Sequence, residues 1–184
     1  LKYACDPNKN RDRFEQILKA GHRARDLVKQ ILTFSRQQEQ ERVPVNLKTI
    51  IKEALKLLEA TLPKNITIQR QMHAGRDLVL ADPTQIHQIL MNLCTNAAQS
   101  MREQGGILTV SLSTCHCDAA ASKKTVDVPP GSYLKLSVTD TGSGISKDVM
   151  QRIFDPYFTT KKKGEGTGLG LSVVHGIAKS HGGT

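Results

Sequence analysis

Asp82-Pro83-Thr84-Gln85-Ile86-His87-Gln88-Ile89-Leu90-Met91-Asn92-Leu93-Cys94-Thr95-Asn96-Ala97-Ala98-Gln99-Ser100 reads as one amphipathic helix with its start signal written into it. Asp82 offers a carboxylate to the first free N–H groups, Pro83 suits the first helical position because it has no N–H to leave unpaired, and Gln85 stands third in the helix. Ile86, Ile89, Leu90, Leu93 and Ala97 recur at steps of three and four, so one face belongs in a core. Asn92 and Asn96 lie four apart on the edge of that face. The helix is expected to run to about Arg102 and to end at Gly105-Gly106.

Working outward, Asn46 caps an upstream helix whose apolar positions Leu47, Ile50, Ile51, Ala54, Leu55 and Leu58 keep a 3.6 period and end near Pro63. Ile66, Ile68 and Leu78 to Leu80 read as short strands. Downstream, Leu108, Val110 and Leu112 alternate with Ile107, Thr109, Ser111 and Ser113, a half-buried strand, and Tyr133 to Asp140 is its partner with Leu134, Leu136 and Val138 on one side. The biased stretch from Ala119-Ala120-Ala121 to Pro129-Pro130-Gly131 is a surface excursion. Ser146 starts a short helix to Ile153, and a last helix spans about Gly168 to Ser180. These elements predict an α/β (α+β) sandwich, a mixed sheet under helices.

Composition narrows the function classes. A chain of 184 residues with 38% hydrophobic content supports one domain and a small appendage, which excludes a disordered class. The excess of 26 Lys and Arg over 17 Asp and Glu suggests an anionic partner, but it is spread along the chain, Trp is absent, and Tyr and Phe number three and four. Little aromatic surface is left for stacking bases, so no nucleic acid is expected and a phosphate-bearing small ligand fits better. No apolar run reaches the roughly 18 residues that span a bilayer, and no direct membrane contact is expected of this stretch. The chain opens on Leu1 with no leader pattern, so it reads as a piece of a longer protein. Four cysteines at irregular spacing point to a reducing compartment. Cys115-His116-Cys117 lacks a second ligand pair, and three consecutive residues converge poorly on a tetrahedral ion, so it reads as a strand end.

Residues 11 to 40 carry a second pattern. Phe14, Ile17, Gly21, Ala24, Val28, Ile31 and Ser35 form a heptad seam widened by Leu18, Leu27, Leu32 and Phe34, too broad for a two-stranded zipper. One helix cannot bury that face alone, so a dimerisation bundle is expected. Gln37 to Pro44 is polar and ends in proline, a linker. The expected domains are 1–42, a partial helical region, and 43–184, the α/β unit.

Three constellations carry chemistry. Asn92 and Asn96 offer carboxamide oxygens, hard neutral ligands suited to Mg²⁺, although alone they read best as amides flanking a core face. Asp140 ends a strand and is followed by Gly142 and Gly144. Its carboxylate only accepts hydrogen bonds, which suits an exocyclic amine such as adenine N6, and an Asx turn closing the strand is the other reading. Gly164-Glu165-Gly166-Thr167-Gly168-Leu169-Gly170 puts glycines on alternate positions at the mouth of a helix. Backbone N–H groups and the positive dipole end there can receive phosphate, with Lys161 to Lys163 adding charge; a flexible linker is the alternative, disfavoured by the apolar helix that follows. The segment is neither a Walker loop nor the dinucleotide fingerprint.

The order and spacing of these segments, with Phe154-Asp155-Pro156-Tyr157-Phe158 between the last two, resemble the N, G1, F and G2 boxes of the ATP-binding domain of sensor histidine kinases, the Bergerat-type (GHKL) fold. The resemblance covers nearly all of Val43 to Thr184. Arg23-Ala24-Arg25-Asp26-Leu27 through Leu32-Thr33-Phe34-Ser35-Arg36 resembles the second helix of that family's dimeric four-helix bundle. It implies that Asn96 ligates Mg²⁺, that Asn92 supports the phosphate side, and that Asp140 reads adenine in a pocket shaped by Gly142, Gly144 and Ile145. It further implies a mobile lid from Phe154 to Gly170, with Lys161 or Lys163 and Gly166, Thr167, Gly168, Leu169 and Gly170 near the phosphates of ATP. A homodimer, a response-regulator receiver domain as partner, and a cytoplasmic location whether or not the full-length protein is anchored follow from the same resemblance.

Departures from the family pattern are informative. Many relatives carry Lys three residues after the second Asn, where this chain has Gln99, so one direct phosphate contact loses its usual donor. Gyrase, MutL and chaperone relatives place a water-activating Glu where Asn92 stands, and Asn is no general base. The chain therefore reads as holding ATP for transfer, with a GHKL-type ATPase or a non-catalytic nucleotide-sensing dimerisation module as alternatives. None of His22, His73, His87, His116, His175 and His181 has the context of the family's phosphoacceptor, which is expected upstream of Leu1. Further strands are expected after Gly182-Gly183, without which the sheet would show an exposed edge or an apolar face.

Overall fold

Asn46 turns the chain from strand to helix. Its side-chain oxygen accepts the Thr49 N–H at 3.1 Å, and Leu47–Thr61 (α1) follows with Leu47, Ile50, Ile51, Ala54, Leu55 and Leu58 buried, the six positions that the 3.6 period selects. The computed structural model describes Phe14, Gly21 and residues 42–75, 77–117, 129–161 and 166–184. The chain divides into two compact units, Leu1–Gln40 and Glu41–Thr184, and all that follows concerns the second. The expected bundle helix and dimer seam, apart from Phe14 and Gly21, lie outside the described residues, as do most of the expected surface excursion and Lys163.

Around α1 the order is β1 (Val43–Asn46), β2 (Ile66–Met72), β3 (Leu78–Ala81), α2 (Pro83–Ser100), β4 (Gly106–Cys117), β5 (Gly131–Asp140), α3 (Lys147–Met150) and α4 (Gly170–Ser180). β2, β4 and β5 form a mixed sheet in that order, β2 parallel and β5 antiparallel to β4. β1 and β3 make a separate antiparallel pair. From the sequence, Pro44 is expected to close a linker. It lies instead in β1, because Val43 and Val45 find Ala81 and Val79 across the pair, and a two-stranded ribbon tolerates proline. α3 is shorter than expected, and Ser146 makes no side-chain cap bond to hold a longer helix. No helix among the described residues is long and apolar enough to cross a membrane.

α1 and α2 cover one face of the sheet. Their apolar stripes meet Leu108, Val110 and Leu112 of β4, each fully buried, and Ile66 of β2, while Leu134, Leu136 and Val138 of β5 close the side. Each large side chain buried this way contributes roughly 1.5–3 kcal/mol. The opposite face carries Thr109, Ser111 and Ser113 on β4 and Lys135, Ser137 and Thr139 on β5. Among the described residues β5 is an edge, as expected, but the exposed face is polar, not apolar. Register decides one more thing. Asp140 pairs with Leu108 and so lies on the helix side of the sheet.

α4 runs antiparallel along α2, its start beside Asn92 and Asn96 and its end at Asp82. The α2 cap forms as the sequence indicates, Asp82 Oδ1 accepting from Thr84 N at 2.8 Å and Gln85 N at 3.3 Å. The reciprocal half of the capping box does not form. His181 Nε2, 3.2 Å away, accepts the Asp82 N–H, and Gln85 Oε1 is left buried without a partner. Nδ1 of the same ring lies 2.9 Å from Ile177 O, so the neutral Nδ1–H tautomer satisfies both contacts.

Candidate nucleotide site

The site is laid out along one stripe of α2. Asn92, Asn96 and Ser100 are spaced by four, a helical stripe beside the buried positions Cys94, Ala97 and Ala98. At the C-terminal end of the stripe the single Ser100 hydroxyl proton has two acceptors in reach, Ala97 O at 2.7 Å and Asp140 Oδ1 at 2.9 Å. The Gly142 N–H donates to Asp140 Oδ1 at 2.9 Å, so the Asx turn that the sequence offers as the other reading of Asp140 is present. Both contacts fall on Oδ1, so among the described residues Oδ2 keeps its accepting capacity. Gly142 is required by space: a Cβ there would overlap Ser100 Oγ and stand 2.8 Å from Asp140 Oδ1. Gly144 takes φ +73° with open space around it, and Ile145 is half exposed beside it.

One turn back, Gly170 opens α4 against the amide pair. A Cβ on it would be 3.6 Å from Asn96 Nδ2 and 3.7 Å from Asn92 Oδ1. Leu169 in the cap position has no side chain able to bond the first-turn N–H groups of α4, which therefore face this region uncapped. Lys161 enters from the other side. Its Nζ donates to Asn96 Oδ1 at 3.1 Å and to Gln99 Oε1. Burial pulls this ammonium below its ordinary pKa. Asn96 Oδ1 is thus already aimed at a positive charge, as an oxygen ligand of Mg²⁺ would be.

The segment between the two glycine-bearing stretches packs onto α4. Gly168 takes φ +67°, and a Cβ there would lie 2.6 Å from Tyr157 O and 2.7 Å from Phe158 N, so backbone meets backbone. Tyr157 also has a left-handed φ of +67° and is exposed. Phe154 stacks on His175 of α4 with centroids 4.8 Å apart, and Arg152 lies over the Phe158 ring at 4.3 Å. Thr167 Oγ1 accepts the Leu169 N–H at 3.4 Å, and Leu169 is buried. Gly166 touches Lys161 instead of the amide stripe, a Cβ there being 2.9 Å from Lys161 Cδ.

The structure therefore brings together Asn92, Asn96, Lys161 and Gly170, with Gly166 reaching them through Lys161. Asp140 and Gly142 meet one turn along α2, while Gly144 and Ile145 form the open turn beyond. Phe154, Thr167, Gly168 and Leu169 support α4. Two residues went unassigned in the sequence reading. Ser100, which positions Asp140, was discoverable from its four-residue spacing after Asn92 and Asn96. Gln99 was visible as a departure only, and nothing local in the sequence ties it to Lys161.

A mixed sheet backed by two helices, with an acidic residue at a strand end, paired amides on the covering helix and an uncapped helix start beside them, is an α/β sandwich with its polar constellations gathered along one helix. Residues 81–184 match the family model described as histidine kinase-, DNA gyrase B-, and HSP90-like ATPase. The chain belongs to that family. Sensor kinase CckA of Brucella abortus (strain 2308) is 40% identical over 169 residues, covering 91% of this chain and 18% of that protein. Sensor histidine kinase ZraS of Escherichia coli (strain K12) is 36% identical over 170 residues, covering 91% of this chain and 32% of that one. This chain thus spans about a fifth to a third of these curated relatives. Histidine kinase ThkA, solved in complex with the response regulator TrrA, superposes with a TM-score of 0.70 at 26% identity, over 99% of this chain and 48% of that chain.

Proposed function

We propose that the unit formed by residues 43–184 holds ATP with Mg²⁺ and presents its γ-phosphoryl to a histidine on a dimeric helical bundle, from which it passes to an aspartate of a response-regulator receiver domain. In the first transfer a P–O bond to ADP breaks and a P–N bond to imidazole forms with loss of the ring proton; in the second the P–N bond gives way to an acyl phosphate on the carboxylate. The observation that carries the reading is the asymmetry at Asp140. Gly142 N–H fixes the carboxylate through Oδ1, with Ser100 Oγ within 2.9 Å of the same oxygen, leaving Oδ2 to accept from an exocyclic amine.

The remaining residues fit the same ligand. Uncapped N–H groups at the start of α4 and the Lys161 ammonium supply positive potential to a polyphosphate, and Asn96 Oδ1 suits a hard cation. When bound, Mg²⁺ neutralises phosphate oxygens and lowers the cost of charge in the transfer. Asn92 cannot take a proton from water, so the site favours transfer to a separate nucleophile over hydrolysis. Phosphoryl transfer of this type asks mainly for position and charge from the protein. The names of the relatives, sensor kinases and a kinase solved with its response regulator, support the donor and the partner. Residues 1–42 would supply part of the bundle of a homodimer, on the cytoplasmic side where ATP is available.

Calorimetric titration of ATP with Mg²⁺ into the chain, beside Asp140→Asn, tests the pocket. The variant is expected to bind at least about tenfold more weakly, since a hydrogen bond to a charged group is worth roughly 1.5–3 kcal/mol. Equal binding by the two proteins, with circular dichroism showing both folded, would refute the adenine assignment.

A further inference from the structure

Lys161 stands in an unusual electrostatic position. It is partly buried, and its Nζ is held by two neutral amide oxygens, Asn96 Oδ1 at 3.1 Å and Gln99 Oε1. Among the described residues no carboxylate lies within ion-pair distance of it; the ion pairs there join Lys48 to Asp77, Arg70 to Glu59 and Arg152 to Asp155. Amide oxygens orient an ammonium without cancelling its charge, so the group remains a net positive centre with incomplete hydration. The uncapped start of α4 lies beside the same Asn96, a second source of positive potential with no side-chain cap of its own among the described residues. Gly166 leaves room for the lysine stem, since a Cβ there would crowd Lys161 Cδ at 2.9 Å and Thr159 Oγ1 at 3.0 Å. An anion of a bound ligand would supply the counter-charge.

We propose that Gln99 is a positioning residue for polyphosphate binding: its side-chain oxygen, with that of Asn96, holds the Lys161 ammonium at the phosphate end of the site. Gln99 need not touch the nucleotide. It replaces the search of a long flexible side chain by one prepared geometry, which reduces the rotamer entropy lost when the phosphates arrive. The oxygen of Asn96 has two cationic claimants, the ammonium and a divalent ion. Gln99 is the remaining holder of Lys161 when Asn96 is taken by the metal, so the effect of removing Gln99 should be at least as large in Mg²⁺ as with metal withheld. The inference rests on the ATP reading above and adds to it a role for a side chain that the reading does not use.

The test is a double-mutant cycle on the full chain, with ATP affinity measured in EDTA and again in Mg²⁺ for wild type, Gln99→Leu, Lys161→Met and the double variant. Expected is a loss of about three- to tenfold in metal-free affinity for Gln99→Leu in the wild-type background and no further loss in the Lys161→Met background. Gln99→Glu holds the ammonium but cancels its charge, so its metal-free affinity should fall at least as far as that of Gln99→Leu, and wild-type affinity in this variant would overturn the proposal. An equal loss in both backgrounds would make Gln99 merely structural and overturn the proposal, as would no loss in either. If wild type itself fails to bind ATP with or without Mg²⁺, the function proposed above falls, and this inference with it. Binding that Asp140→Asn abolishes and Gln99→Leu leaves untouched overturns the inference alone.

Discussion

Cys94 lies at 0% exposure on the core face of α2, and burial pushes its thiol up to about 11 from the 9.0 of a free cysteine. The sign of the consequence follows from which state ionises first. Above 9.0 the unfolded chain releases the Cys94 proton while the folded chain keeps it, so stability is intact below that pH and is lost as pH rises toward 11. Two pKa steps amount to about 3 kcal/mol at most. Urea unfolding across that interval should show a steeper decline in wild type than in Cys94→Ala, whose cavity cost does not depend on pH; parallel declines would remove Cys94 as the cause. The apolar period read from the sequence names Leu93 and not Cys94, and packing decides that Cys94 is buried while Leu93 is half-buried. That Gln99, five residues on, contacts Lys161 was not legible either, because the contact depends on where a distant segment is folded back.

At the scale of elements, the junction between the start of α2 and the end of α4 contains two acceptors for one donor. The Asp82 N–H bonds His181 Nε2, and the local alternative, Gln85 Oε1, stands unused and buried. Loss of either acceptor alone is expected to be tolerated: in His181→Ala the capping box can close on Gln85, and Gln85→Leu removes an unpaired atom. Removing both leaves the N–H without a side-chain partner. The double variant should therefore be less stable than the sum of the single changes by about 1 kcal/mol, measured by urea denaturation. Strict additivity would show that the two side chains do not substitute for one another. The helix start itself was readable from Asp82-Pro83-Thr84-Gln85, because capping is settled within four residues. The competition from His181 was not readable, since it depends on α4 lying antiparallel along α2.

At the scale of the whole unit, α1, α2 and the sheet share one core, so its residues report on all of them at once. Leu55 and Leu90 are fully buried on facing helices. Leu55→Ala should cost about 2–5 kcal/mol, a large part of the roughly 5–15 kcal/mol that holds a domain of ordinary stability. Urea unfolding followed by circular dichroism should show a lower midpoint with unchanged cooperativity. A loss below about 1 kcal/mol would mean that α1 is not integral to this core.

The sequence by itself determined most of the elements and the greater part of their buried faces, the caps at Asn46 and Asp82, and the set of amides, carboxylate and glycines to be brought together. These follow from spacing over a few residues, where backbone geometry leaves little choice. It also carried the departure at Gln99 without saying what that residue does. Only the tertiary structure decided that β1 extends into the supposed linker, that the open face of the sheet is polar, and that Asp140 faces the helices by its register with Leu108. The same holds for Ser100 beside Asp140 and for Lys161 against Asn96 and Gln99. These are contacts between residues 40 to 65 positions apart, and their partners are chosen by how helices and strands pack, which no local pattern encodes.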